Sequence, residues 1–68
     1  MSDIKVSLQP TGRKMGRFDV CALVIDGQTV SYPHSLQGAR KSAAYWGGPE
    51  AVAALPAAVK ASGAVLAG

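Results

Sequence analysis

The stretch RFDVCALVIDGQTVSYPHS, from Arg17 to Ser35, decides the fold. Its first part, Arg17 to Ile25, is rich in β-branched and aromatic residues and predicts a strand. Asp26-Gly27 then predicts a two-residue type I′ turn, because both residues tolerate a positive φ angle. A second strand follows from Gln28 to Tyr32 and ends at Pro33, which cannot donate to a ladder. The stretch therefore predicts a β-hairpin.

A two-residue turn would determine which side chains of this hairpin share a face. The predicted cross-strand pairs are Leu23 with Val30 and Cys21 with Tyr32 on one face, and Val24 with Thr29 and Ala22 with Ser31 on the other. The first face is apolar on both strands and should carry the main core. The second is apolar on the central strand only, so either the C-terminal segment or a second copy of the chain should cover it. A three-residue loop with a bulge would exchange the two faces.

The residues before the hairpin predict a strand and a long loop. Polar and apolar residues alternate strictly from Asp3 to Gln9, which is typical of a half-buried strand. Pro10 should end this strand. The segment from Gln9 to Gly16, QPTGRKMG, then reads as a loop that carries the densest positive charge of the chain and is longer than a hairpin needs.

The residues after the hairpin predict helices. Ser35 can cap a helix from Leu36 to Trp46, which Gly47-Gly48 would end. At about 100° per residue, one stripe of this helix should pack on the sheet; its members are Leu36, Ala39, Ala43 and Trp46. A second helix is predicted from Pro49 to about Leu55.

The end of the chain is less regular. Pro56 should interrupt the second helix, because the residue before a proline is pushed out of the α region. A further turn or two is expected up to Ser62, where Gly63 stops it. Ala64 to Leu66 predicts either a frayed helix end or an extra edge strand.

The predicted fold is therefore a single small α+β domain that spans residues 1–68. It consists of a three-stranded antiparallel β-meander, a helix and a broken alanine-rich C-terminal helical segment, in the order β-β-β-α-α. A chain of this length buries only about 60% of the surface that its unfolded form exposes, and its core supplies roughly 3–5 kcal/mol. With one cysteine and one histidine there is neither a disulfide nor a zinc cluster. A homodimer is the reasonable default stabilisation that remains.

The composition indicates a globular protein of the cytoplasm. Hydrophobic residues make up 49% of the chain and charged residues 16%, which excludes a disordered polar tail. A lone cysteine fits a reducing compartment. The N-terminus lacks the apolar core of a signal peptide, and the most apolar stretch, Ala51 to Ala67, is broken by Pro56, Lys60 and Gly63. No membrane association is expected.

No residue pattern indicates catalysis. His34 and Ser35 are neighbours at a helix start, where serine caps far more often than it reacts. Cys21 lies in the middle of a strand, where a thiol behaves as a small hydrophobe. The glycines around Arg13 and Lys14 lack the spacing of a phosphate loop, and no carboxylate pair has metal-site spacing. The sequence predicts no enzyme, no cofactor and no metal.

The candidate partner-binding residues are basic and aromatic: Arg13, Lys14, Arg17, Arg40, Lys41 and Tyr45. The first three suit phosphates or carboxylates, although a solvated loop is the simpler alternative. Tyr45 lies on the polar face of the helix, where an exposed tyrosine is typical of a binding hot spot unless the C-terminal segment covers it.

Two resemblances follow from the segment GRFDVCALVIDG, with Tyr32-Pro33 and the alanines before Tyr45. Its layout is similar to three-stranded-sheet DNA-binding domains, such as phage integrase arm-binding and AP2-type modules. This implies a sheet that faces the major groove, but the only positive charges on these strands are Lys5 and Arg17 at the ends. From Gly16 to Pro49 the chain also resembles small phage-encoded anti-CRISPR inhibitors. This implies a non-enzymatic protein that blocks a nucleic-acid-handling complex.

Three functions are therefore considered. The leading hypothesis is a small binding protein that inhibits a larger host protein or ribonucleoprotein complex by occupying its surface. The alternative is a DNA-binding module whose basic loop clamps phosphates. A structural homo-oligomer is the third.

Overall fold

The structure, a computed structural model, describes residues 4–68. Three antiparallel strands are followed by one helical element, and β2 lies in the centre of the sheet. The elements are β1 (Val6–Met15), β2 (Phe18–Ile25), β3 (Gln28–Ser31) and α1 (Leu36–Ser62). The predicted α+β meander is confirmed. The predicted start of the first strand at Asp3 lies outside the described residues.

The turn between β2 and β3 has the predicted type I′ character. Asp26 and Gly27 have φ angles of 51° and 84°, and both central residues of a type I′ turn require positive values. Asp26 also anchors the start of the first strand, since its backbone N–H donates to the Lys5 carbonyl over 2.8 Å. Its carboxylate accepts from the Lys5 N–H over 3.0 Å.

The register of β3 agrees with the prediction only beside the turn. Val24 lies opposite Thr29 as predicted, but Leu23 lies opposite Ser31 rather than Val30. Val30 is the extra residue of a bulge, and an inserted residue shifts every later pair by one position. The predicted pairs of Cys21 with Tyr32 and of Ala22 with Ser31 are therefore wrong. β3 ends at Ser31, and the Cys21 N–H donates to the Pro33 carbonyl instead, over 3.3 Å.

The predicted loop from Gln9 to Gly16 is wrong, because β1 continues through it to Met15. Pro10 does not end the strand. It lies on an edge strand and beside a shift in the pairing register of β1 with β2, a second irregularity of the sheet. Edge strands and bulges are the places where a sheet accommodates a proline. Between Pro10 and Arg13, two residues of β1 have no partner on β2.

A side chain bridges this second irregularity. The Thr11 hydroxyl donates to the Val20 carbonyl over 2.6 Å. The same oxygen accepts from the Arg13 N–H over 3.3 Å. Beyond it, β1 and β2 pair up to Met15 and Phe18, and Gly16, with a φ of 65°, starts the connecting turn. Residues 11–20 are called the basic hairpin below.

The core lies between one face of the sheet and α1. Its sheet side consists of Leu8 on β1 and Cys21, Leu23 and Ile25 on β2, and its helix side of Ala39, Ala43, Ala51 and Leu55. Ala39 and Ala43 face the sheet as predicted. Trp46 does not, since 57% of it is exposed.

Trp46 lies outside the core because the inward-facing positions of α1 are spaced four residues apart. These positions are Ala39, Ala43, Gly47 and Ala51. A Cβ atom on Gly47 would lie 2.9 Å from Ile4 Cδ1 and would overlap Ala51 Cβ. Gly47 therefore lies in a close contact that leaves no room for a side chain, and the neighbouring position 46 points aside.

The helical element α1 bends at Gly48, which has a φ of 72° and a ψ of −164°. A straight helix of 27 residues would be about 40 Å long. The Leu36 N–H nevertheless donates to the carbonyl of Ala67, shortly after the helix ends, over 2.8 Å. The part of α1 after Gly48 therefore returns along the part before it.

Where the sequence predicts a helix and a broken second helix, the structure shows this one bent element. The predicted break at Pro56 is wrong, because α1 continues to Ser62. Leu55 and Ala58, on either side of Pro56, are buried. Their packing compensates for the backbone hydrogen bond that a proline removes.

The C-terminal residues 63–68 form an extended tail. The Val65 carbonyl accepts from the Asp19 N–H over 2.7 Å, and the Val65 N–H donates to the Asp19 carboxylate over 3.0 Å. The tail is thus not a frayed helix end. It resembles the predicted edge strand more closely, because its backbone hydrogen-bonds to Asp19 of β2. Its side chains Ala64 and Leu66 pack against the core cluster. The expectation that the C-terminal segment covers the second face of the sheet is therefore wrong.

Within residues 4–68, no helix combines the length and the apolarity that a membrane crossing requires.

We expect the Gly47→Ala substitution to lower the free energy of unfolding by about 1–3 kcal/mol, because a methyl group there overpacks the contact with Ile4 and Ala51. Urea denaturation measures the change. Ala44→Ser, at an exposed position of the same helix, is the control and should change stability by less than about 0.5 kcal/mol. A Gly47→Ala protein that is more stable than the parent, as helix propensity alone predicts, would contradict the close contact.

Candidate binding surfaces

Ser35 and Cys21, the two nucleophilic side chains considered in the sequence, are a helix cap and a buried core residue in the structure. Within residues 4–68, no three His, Cys, Asp or Glu side chains are placed to hold a metal ion. The Ser35 hydroxyl accepts from the Gly38 N–H over 3.0 Å, so this serine caps α1 as predicted. Cys21 is fully buried, and burial raises the pKa of its thiol, with a smaller contribution from the Asp19 carboxylate. A protonated thiol without solvent access is a poor nucleophile.

The predicted basic residues Arg13, Lys14 and Arg17 are all exposed on the basic hairpin. Lys14 Nζ lies 4.0 Å from a carboxylate oxygen of the half-buried Asp19, and because the lysine is exposed the pair adds little stability. Among the described residues, no carboxylate forms a salt bridge with Arg13 or Arg17. Two guanidinium groups are thus available to an anionic partner.

The three cations do not form one patch. Arg13 lies opposite Val20 and Met15 opposite Phe18, whereas Lys14 lies opposite Asp19. Because side chains alternate along a strand, Arg13 shares a face with Phe18 and Val20. This is the second face of the sheet, opposite to α1. Lys14 points to the other side.

An open cleft of about 310 Å³ lies beside Arg13. Its lining residues are Thr11, Arg13, Val20 and Tyr32. Tyr32 is 65% exposed. Sequence reasoning placed Tyr32 in the core, because nothing in the sequence signals the bulge at Val30 that shifts it.

The predicted helix residues Arg40, Lys41 and Tyr45 lie on the first part of α1 and are exposed. Lys41 and Tyr45 are four residues apart and share one side of the helix. Arg40 lies beside the returning part of α1, in a groove of about 230 Å³ that it lines with Leu36, Leu55, Pro56 and Val59. Arg40 therefore belongs to a different side from Lys41.

Tyr45 and Trp46 form an exposed aromatic pair. Their ring centroids lie 5.0 Å apart at an interplanar angle of 79°, an edge-to-face arrangement. Tyr45 is 80% exposed, so the alternative that the C-terminal segment covers it is wrong. Sequence reasoning missed Trp46 as a surface residue. The line of small residues at every fourth position, Ala39 to Ala51, is the signal that would have placed it outside the core.

The aromatic pair and the tip of the basic hairpin lie at opposite ends of the sheet. The pair adjoins Gly47, where a Cβ atom would lie 3.4 Å from Ile25 Cδ1 at the end of β2. The hairpin tip lies at Phe18, the start of β2. A strand of eight residues separates these ends by about 23 Å. The basic hairpin and the aromatic pair with Lys41 are therefore two separate surfaces, and Arg40 belongs to neither.

No protein family, curated protein or solved structure matches this chain. The function is therefore inferred from the chemistry of the aromatic pair and the basic hairpin.

We expect the Cys21 thiol to react very slowly with a disulfide reagent in the folded protein and rapidly in denaturant, because it is buried and its pKa is raised. The thiol ionises near pH 8.5 in the unfolded chain and at a higher pH in the folded protein. The free energy of unfolding should therefore fall as the pH rises above about 8.5. The Cys21→Ala variant, which should lack this contribution to the alkaline decline, is the control. Rapid labelling of the native protein would show that the strand opens.

Proposed function

We propose that this protein is a non-enzymatic binding protein that inhibits a larger host protein or ribonucleoprotein complex by occupying its surface. The anti-CRISPR inhibitors that its layout resembles act in this way. The observation that supports the proposal best is the aromatic pair, two adjacent large rings that are more than half exposed on a short chain.

The chemistry of the aromatic pair suits a protein contact. Tyrosine, tryptophan and arginine are the residues in which binding hot spots are richest. Lys41, on the side of α1 that carries Tyr45, would provide the polar rim that surrounds such a contact. An aromatic ring loses little conformational entropy when it is immobilised, since it has two side-chain torsions.

The aromatic pair also lies next to a closely packed residue. It adjoins Gly47, which packs against Ile4, Ile25 and Ala51 in the core. A partner would therefore meet a preorganised surface, and preorganisation reduces the free-energy cost of association. The buried Cys21 thiol and the capping role of Ser35 support a function without catalysis.

We expect Trp46→Ala to weaken binding to the partner by about 2 kcal/mol, roughly 30-fold in Kd, because the ring is at the centre of the proposed contact. The partner is first captured from host lysate on the tagged protein and purified, and Kd and inhibition of its activity are then measured. Met15→Ala is the matched control, since Met15 is 56% exposed but lies on the basic hairpin. The proposal fails if no partner is captured, if the partner is not inhibited, or if both variants bind like the parent.

A second candidate function is duplex DNA binding through the basic hairpin. The observation that favours it is the two-stranded form of this segment, because the major groove of B-DNA admits a β-ribbon of two strands. Arg13, Lys14 and Arg17 would contact phosphates on either side of the groove.

If the basic hairpin clamps duplex phosphates with three cations, log K should fall with log salt concentration at a slope of about −2.7. Arg17→Ala should reduce the magnitude of this slope by about 1 and weaken all sequences equally. Lys60→Ala, which removes an exposed cation from the last turn of α1, should leave the slope unchanged. A gel-shift titration that detects no complex with duplex DNA at low salt eliminates this candidate.

A further inference from the structure

The cleft beside Arg13 combines a cation, a ring and an apolar floor. The Arg13 guanidinium has no salt bridge to a carboxylate among the described residues, and Tyr32 presents a ring that is 65% exposed. Val20, half-buried, lies between them in the lining. No other ring of the described chain stacks on Tyr32. The charge and the aromatic surface are thus both unoccupied.

The walls of the cleft are held in place by hydrogen bonds. Thr11 uses its hydroxyl twice, donating to the Val20 carbonyl and accepting from the Arg13 N–H. These two bonds hold the backbone of Arg13 against that of Val20. On the other wall, Tyr32 lies just before Pro33, a buried residue whose carbonyl accepts from the Cys21 N–H. The cleft is therefore built before a ligand arrives, which lowers the cost of binding.

The dimensions and chemistry of the cleft suit one nucleotide. Its volume of about 310 Å³ is at the lower end of the range for small-ligand sites. A guanidinium pairs with a phosphate through charge-assisted hydrogen bonds. A tyrosine ring stacks on a nucleobase of any identity, since every base has a π-face. A base inside a duplex does not expose that face, so the nucleotide must be unpaired.

We propose that the cleft between Arg13 and Tyr32 binds a nucleotide of a single-stranded nucleic acid, with its base stacked on Tyr32 and its phosphate paired with Arg13. Arg17, in the turn of the same hairpin, lies where the strand continues, and its guanidinium contacts a neighbouring phosphate. An acidic peptide would pair with Arg13 but would leave the Tyr32 ring unused. The site is separate from the aromatic pair, so it stands independently of the protein contact proposed above.

The test is fluorescence anisotropy of the full chain with a labelled oligothymidylate. We expect binding to the single strand that weakens with salt, and much weaker binding to a duplex of equal length. Tyr32→Ala should raise Kd by roughly 5- to 150-fold, the effect of losing one stacked base. Tyr32→Phe, which keeps the ring, should bind like the parent. Tyr45→Ala removes a tyrosine that is more exposed but lies on α1, and it should also bind like the parent.

Circular dichroism checks that each variant is folded. We expect the Tyr32 variants to fold, because this side chain is largely exposed. Tighter binding to the duplex than to the single strand would overturn the proposal, and so would an unchanged Kd for Tyr32→Ala. A polyglutamate peptide that binds as tightly as the oligonucleotide would show that the cleft recognises charge alone, which also overturns it. No binding to any of these probes at low salt would do the same, without affecting the protein contact at the aromatic pair.

Discussion

The close packing of α1 on one face of the sheet is the contact on which the rest of the structure depends. Along the helix, positions 39, 43, 47 and 51 carry only alanine or glycine, and they lie over Cys21, Leu23 and Ile25 in one cluster. Small residues allow two backbones to come near each other, and the apolar surface buried between helix and sheet stabilises this short chain. The helix cannot rotate away without placing a larger side chain against the sheet. Its outer residues therefore have one orientation.

The exposure of the aromatic pair is a consequence of this contact. Gly47 lies in the close contact with Ile4, Ile25 and Ala51, and Trp46 and Tyr45 beside it turn toward solvent. Gly48 then reverses the chain with a positive φ, and the second part of α1 returns over the same sheet face. Two large rings remain at the bend with no covering element among the described residues. The packing of small side chains inside thus determines which large side chains are available outside.

Two irregularities of the sheet produce the second candidate surface. The unpaired residues Thr11 and Gly12 in β1 place Arg13 opposite Val20 instead of Phe18, on the face opposite the helix. The bulge at Val30 in β3 moves Tyr32 out of the core register toward the same cleft. Each irregularity interrupts a ladder, and side-chain or later backbone groups replace some of the lost bonds, as Thr11 and Pro33 do. Bulges of this kind commonly re-aim side chains near functional sites.

The sequence by itself determined the elements whose signals are local. The Asp26-Gly27 turn, the apolar β2, the Ser35 cap and the α+β order all follow from backbone preferences of a few neighbouring residues. It also identified the exposed basic residues of the hairpin and helix, and Tyr45. Only the tertiary structure decided that the basic segment is a hairpin, that Trp46 is exposed, that α1 continues past Pro56, and that Tyr32 lines a cleft with Arg13. Those outcomes depend on contacts between residues far apart in the chain, where an edge position accommodates Pro10 and core packing outweighs the helix-breaking tendency of Pro56.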